Sequence, residues 1–138
     1  MDKTIKRPMD IETKTQLAMT GDDSQKAQAI RLRAGRLFTG LDQKGLAAAS
    51  NVSSTALNNM EMGRSYPSLQ VMRYLYRGYR VDFNFLMNGD FAQLAGDVQA
   101  AIFPHLLSAK NEWDQRENSG QRRTAAPPSQ STPSSAQP

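Results

Sequence analysis

The chain has no cysteine, so disulfides and thiolate metal sites are excluded. It has one histidine, His105, and a single imidazole cannot assemble a zinc site of the usual kind. No catalytic constellation and no cofactor motif stand out, so neither enzyme chemistry, nor a bound metal, nor a cofactor is expected. The spacing of Gly35 and Gly40 suits a phosphate loop, but Leu41 and Asp42 occupy its Lys and Ser/Thr positions, and the motif fails. No apolar run approaches the roughly 18 residues of a membrane span. The first residues, MDKTIKRPMDIETK, lack the apolar core of a signal peptide. These absences point away from membranes and towards a cytoplasmic protein. Apolar residues make up 38% of the 138, below the globular norm of about 45%. Part of the chain is therefore expected to stay outside any core.

What is present is a basic middle. Residues 24–91 carry nine basic and four acidic groups, a net of +5, whereas residues 1–23 carry four and five, a net of −1. Residues 92–118 carry two basic and four acidic groups, a net of −2. A compact basic segment suits a polyanionic partner, usually nucleic acid. The polar, aperiodic residues 1–23 read as a flexible arm, with a turn of helix around Ile11–Met19. Residues 119–138, SGQRRTAAPPSQSTPSSAQP, have almost nothing to bury and read as a disordered tail.

Between these ends the pattern is helical throughout, with no convincing strand. Asp22, Asp23 and Ser24 can cap a helix running to about Phe38. Its apolar phase is ambiguous, with one stripe at Ile30, Ala34, Leu37 and Leu41 and another at Leu32, Gly35 and Thr39. Gly40 ends it. Asp42 can cap a short helix over Gln43–Ser50, and Ser53 another through about Met62. Asn51 between them tolerates a left-handed backbone. Pro67 and Ser68 open a fourth helix and Asp82 caps a fifth, which Gly89 ends. A last helix spans about Phe91 to Asn118, with Leu94, Val98, Ile102 and Leu106 four apart and Pro104 expected to kink or split it. This stripe, with the surplus aromatics Tyr74, Phe85 and Phe91, calls for another surface. It either folds back on its own domain or packs against a second subunit.

Two short helices joined by a tight turn, Asp42–Ser50 and Ser53–Met62, suit a motif whose second helix enters the DNA major groove. On that helix Ser54, Thr55, Asn58 and Asn59 are small and polar, and they avoid the apolar face of Ala56, Leu57 and Met60. Asn can pair with the N6 and N7 edge of adenine, and Thr can also touch a thymine methyl.

The stretch RLRAGRLFTGLDQKGLAAASNVSSTALNNMEMGRSYPSL, from Arg31 to Leu69, resembles the helix-turn-helix of the Cro and CI phage repressors, the XRE class. Arg36, Gly40, Leu41, Gln43, Leu46, Ala47, Val52, Ser53, Glu61, Gly63 and Pro67 stand at its motif positions. The resemblance continues through YRVDFNFLMNGD, from Tyr79 to Asp90. It implies an all-α fold with a five-helix lambda-repressor-like domain over residues 24–90; the C-terminal helical segment, residues 91–118, would serve dimerisation where its apolar stripe meets a second copy. It assigns base reading to Ser54, Thr55 and Asn59, with Asn58 at the groove edge. It assigns phosphate contacts to Gln43, Ser53, Arg64, Ser65 and Tyr66, and an internal ion pair to Arg36 and Glu61. The partners implied are double-stranded DNA, a second copy of the chain and, for some members, a protein co-regulator. The sequence departs from the pattern at Gly45, a helix interior position that costs about 1 kcal/mol relative to Ala. It departs also at Met62, where a polar phosphate binder is common, and at Arg80, where Gly is usual. The function implied is a phage- or prophage-type repressor. An activator working with a partner protein, or an antitoxin that regulates its own promoter, shares the same fold.

Overall fold

A computed structural model describes the backbone of residues 9–125 and the side chains of residues 9–120. Seven helices and no strand occur among the described residues. They are α1 (Ile11–Ala18), α2 (Gln25–Thr39), α3 (Gln43–Ser50), α4 (Ser54–Glu61), α5 (Leu69–Tyr79), α6 (Phe83–Asn88) and α7 (Gly96–Ala125). The first six each begin at a side-chain cap. Asp10, Ser24, Asp42, Ser53, Ser68 and Asp82 accept the backbone N–H three residues on, satisfying a donor that the helix itself leaves unpaired.

The central element is α2. Ala27 through Leu32 and Ala34 through Arg36 are all buried, because α4, α5, α6 and α7 pack around it. This explains the two competing apolar stripes in the sequence: a helix enclosed on all sides has no single apolar phase. Gly35 lets α5 approach, since a Cβ there would lie 3.3 Å from Leu75 Cδ1.

α7 lies along α2 and buries Val98, Ile102, Phe103, Leu106 and Ala109 against the same chain, and Leu94 just before it is buried too. Of the two alternatives for the apolar stripe, the structure has the first: α7 folds back on its own domain and the stripe is buried there. Phe91 meets Phe103 edge-on at 5.3 Å, and His105 packs edge-on to Phe38 at 6.4 Å. Pro104 does not split the helix. It is exposed, and so is Ala100, whose carbonyl loses its N–H partner and can turn to water instead. α7 also continues past the expected end at Asn118 into the segment read as a tail. Residues 126–138 of that segment lie outside the described residues.

The flexible arm requires a correction. Residues 1–8 lie outside the described residues, but residues 10–22 are folded onto the domain. Asp10 caps α1, and Lys14 Nζ donates to Gln99 Oε1 on α7 at 2.7 Å. Ala18 is fully buried. Arg31, on α2 and itself fully buried, anchors this segment. Its guanidinium donates to the carbonyls of Ala18 (2.9 Å), Met19 (3.3 Å), Asp22 (2.7 Å), Leu86 (3.1 Å) and Met87 (3.0 Å). All but that of Asp22, which lies in the loop before α2, sit at the C-terminal ends of α1 and α6, where unpaired acceptors and the helix dipole both favour a cation. Burial lowers the Arg31 pKa to about 10, partly opposed by Asp22, Asp90 and Asp23, so the group stays charged at neutral pH.

Arg80 has an explanation as well. It ends α5 with a left-handed backbone, φ 62°, in the place usually given to Gly. Such a conformation costs an L-residue roughly 1–2 kcal/mol. Offsetting this, its N–H bonds back into the helix and its guanidinium pairs with Asp97 in the first turn of α7, at 2.7 and 3.3 Å.

Candidate nucleic-acid interface

The candidate site is built on α3 and α4. Asp42 Oδ1 accepts Gly45 N at 2.7 Å, so α3 starts sharply, and Leu46 and Ala47 turn inward. Gly45 leaves room for this cap, because a Cβ there would stand 3.1 Å from the same carboxylate oxygen. Asn51 closes α3 at φ 63°, its N–H bonded back to the helix. Two residues later Ser53 Oγ accepts Ala56 N at 3.0 Å and opens α4. Leu57 and Met60 anchor α4 in the core.

A buried charge network fixes the far end of α4. Glu61 is 1% exposed and accepts four hydrogen bonds. Arg36 Nε reaches its Oε2 at 2.7 Å and Arg36 Nη2 its Oε1 at 3.1 Å. Arg33 Nη1 donates to Oε1 at 3.0 Å, and Gln43 Nε2 at 3.1 Å. Helices α2, α3 and α4 are thus tied through one carboxylate. Breaking such a pair from one side leaves a buried charge uncompensated, which costs roughly 3–5 kcal/mol.

What remains outside is a polar stripe. Ser54 and Thr55 are exposed at the first turn of α4, with Asn58 and Asn59 half-buried one turn on. Gln43 reaches Asn58 Oδ1 at 3.4 Å, so its amide is turned towards α4. Arg64 Nη1 donates to Asn59 Oδ1 at 3.2 Å, leaving the NH₂ of Asn59 free to donate elsewhere. Ser53 uses an acceptor lone pair for the cap and keeps its hydroxyl proton available. Arg64 and Tyr66 are exposed in the following loop, Ser65 is half-buried, and Lys44 is exposed beside the stripe on α3. All nine side chains named from the sequence for DNA therefore fall on α3, on α4 and its cap Ser53, or in the loop that follows. Residues 29–83 match a family model described as a helix-turn-helix domain.

The chain carries a helix-turn-helix domain.

The similarity extends to a curated relative, the HTH-type transcriptional regulator DdrOP3 of Deinococcus deserti, at 33% identity over 78 residues. The match covers 56% of this chain and 59% of the relative, so the chain spans about three fifths of that protein's length. No solved structure matches.

Sequence reasoning missed four residues around this domain. Arg31 and Arg33 look like ordinary surface cations of a basic segment. The only clue for Arg31 is its spacing of four and three from Ala27 and Ala34, which are buried. Arg33 also binds Glu112 on α7, at 2.5 Å, and so links the Glu61 network to the C-terminal helix. Trp113 lies over Gly63, where a Cβ would come within 2.7 Å of the indole. Arg116 donates to the sulfur of Met62. A long helix with a stripe up to Leu106 gives no sign that its next turns reach the end of α4.

Proposed function

We propose that the protein is a sequence-specific DNA-binding transcriptional regulator of the XRE class, a repressor of the phage or prophage type. The observation that carries this reading is the outward stripe of Ser54, Thr55, Asn58 and Asn59 on a helix fixed at both ends. Small donors and acceptors on a rigid helix suit base edges in the major groove, and rigidity lets them discriminate. Gln43, Ser53, Arg64, Ser65 and Tyr66 flank the stripe and suit the phosphates on either side. Residues 24–90 form the reading unit, and α7 supports it. The protein binds as a homodimer on paired half-sites, through a surface other than the buried α7 stripe.

The test begins with selection of duplexes from a random-sequence pool by the wild-type protein. Asn59→Ala and Thr55→Ala should each weaken binding to the selected duplex by about 1–3 kcal/mol and leave nonspecific binding nearly unchanged. Full affinity and unchanged base preference in both variants would place the reading surface elsewhere.

A further inference from the structure

Met62 follows α4 directly, three residues after Asn59 and seven after Thr55, so helical spacing sets it on the same stripe. Arg116 of α7 touches Met62 from outside the matched segment, its Nη1 donating to the Met62 sulfur. A thioether is a weak, neutral acceptor. Among the described residues, the Nη2 of Arg116 is buried with no hydrogen-bond partner. The nearby acids are engaged elsewhere, Glu112 with Arg33 and Glu117 with Lys26. The guanidinium stacks on Trp113, 5.1 Å from the ring, which fixes its direction without neutralising it. Trp113 in turn rests on Gly63, so the cation is held against the very end of the reading helix.

A cleft of about 580 Å³ opens at this junction, lined by Arg33, Met62, Glu112, Gln115, Arg116 and Ser119. Its one acid, Glu112, is already paired with Arg33. Gln115 and Ser119 add uncharged polar groups at helical spacing on the same side of α7 as Arg116. Asp114 falls on another face of the helix, and Glu117 lines a smaller neighbouring cleft with Met62, Trp113 and Arg116 but pairs with Lys26. An always-charged planar donor with no ion-pair partner among the described residues, beside neutral hydrogen-bonding groups, is the chemistry that takes a phosphate.

We propose that α7 carries a second DNA contact, in which Arg116 binds a backbone phosphate flanking the base pairs read by α4. The proposal rests on the DNA-binding reading above. It makes the C-terminal helix part of the interface, outside the helix-turn-helix segment itself.

Binding to the selected duplex and to a random duplex is measured by fluorescence anisotropy from low to moderate salt. Arg116→Met keeps the aliphatic stem and removes the charge. It should reduce the slope of log affinity against log salt by about 0.9 per bound protomer. It should weaken binding by the same factor on both duplexes, whereas Asn59→Ala weakens only the selected one. Arg116→Lys should keep the wild-type slope. The slope does not depend on the fraction of active protein, so partial unfolding of a variant cannot imitate the effect. An unchanged slope in Arg116→Met, with Asn59→Ala still losing preference, would overturn this contact and leave the DNA-binding reading standing. Failure of the wild-type protein to bind either duplex at low salt would overturn both.

Discussion

Glu61 shows how one buried charge can decide the geometry of a surface. Its carboxylate is surrounded by two guanidinium groups and a carboxamide from two other helices. Charge alone assigns the arginines of a basic segment to phosphate, yet Arg31, Arg33 and Arg36 all face inward in whole or part, as the resemblance implies for Arg36 only. Glu61→Gln should lower unfolding free energy by about 3–5 kcal/mol, measured by denaturant titration, because two cations lose their counter-charge at a site that remains closed to water. The exposed carboxylates work differently. The backbone N–H of Thr13 holds the Asp10 carboxyl below its usual range, that of Ser24 does the same for Asp22, and the Arg80 guanidinium for Asp97. A carboxylate whose folded pKa is depressed adds stability above its unfolded value of about 3.8 and loses it as pH falls through the folded one. Melting temperature should therefore be insensitive to these groups from neutral pH down to about 5, then fall below about pH 4. In Asp97→Asn the acid-dependent drop should be smaller than in the wild type. An equal drop would mean that the Arg80 pair adds nothing.

The elements were legible in the sequence to the extent that their signals are local. A cap acts on an N–H three residues away, so Ser24, Asp42, Ser53, Ser68 and Asp82 announced five helix starts. The polar stripe on α4 was legible for the same reason, through spacing alone. α1 was legible only as a turn of helix, because it docks through Arg31, which lies 13 residues beyond Ala18 and gives no local sign of binding it. The α7 stripe announced that something must cover it but not whose surface that is. The contact from Arg33 to Glu112 spans 79 residues, and no periodicity encodes it. The structure changes what removal of α7 should do. Val98, Ile102, Phe103 and Leu106 are each at most 2% exposed, and burial of such side chains is worth about 1.5–3 kcal/mol apiece. Together they match the whole net stability of a small domain, about 5–15 kcal/mol. Truncation after Asp90 should therefore abolish the cooperative melt rather than yield a folded monomer, and Ile102→Asp should do nearly the same. A truncated chain with an intact thermal transition by circular dichroism would show that α7 is dispensable for folding.

On the scale of the whole molecule, the positive charge is not spread evenly over what the fold presents. Inward-facing arginines absorb part of the +5 of residues 24–91, and the cations left near the reading stripe are few: Lys44 and Arg64, with Arg116 from α7. Such a surface can occupy DNA, and occupancy of a promoter is sufficient to repress. Activation demands more, a surface beside the DNA that also holds the polymerase. In some of the phage repressors that the sequence resembles, that surface is an acidic patch on the helix that precedes the reading helix, which corresponds to α3. Here the outward side of α3 offers Asp42, Lys44, Ala48 and Ala49. Asp42 is its sole acid, its Oδ1 is held by Gly45 N at 2.7 Å, and Lys44 stands two residues away as an opposing charge. Regulation should accordingly run by occlusion. Transcripts of genes whose promoters the protein directly occupies should rise when it is deleted, as measured by sequencing RNA alongside an occupancy map. A fall in those transcripts would mean that contact with polymerase is made by another part of the chain or by a bound partner, and that the protein activates.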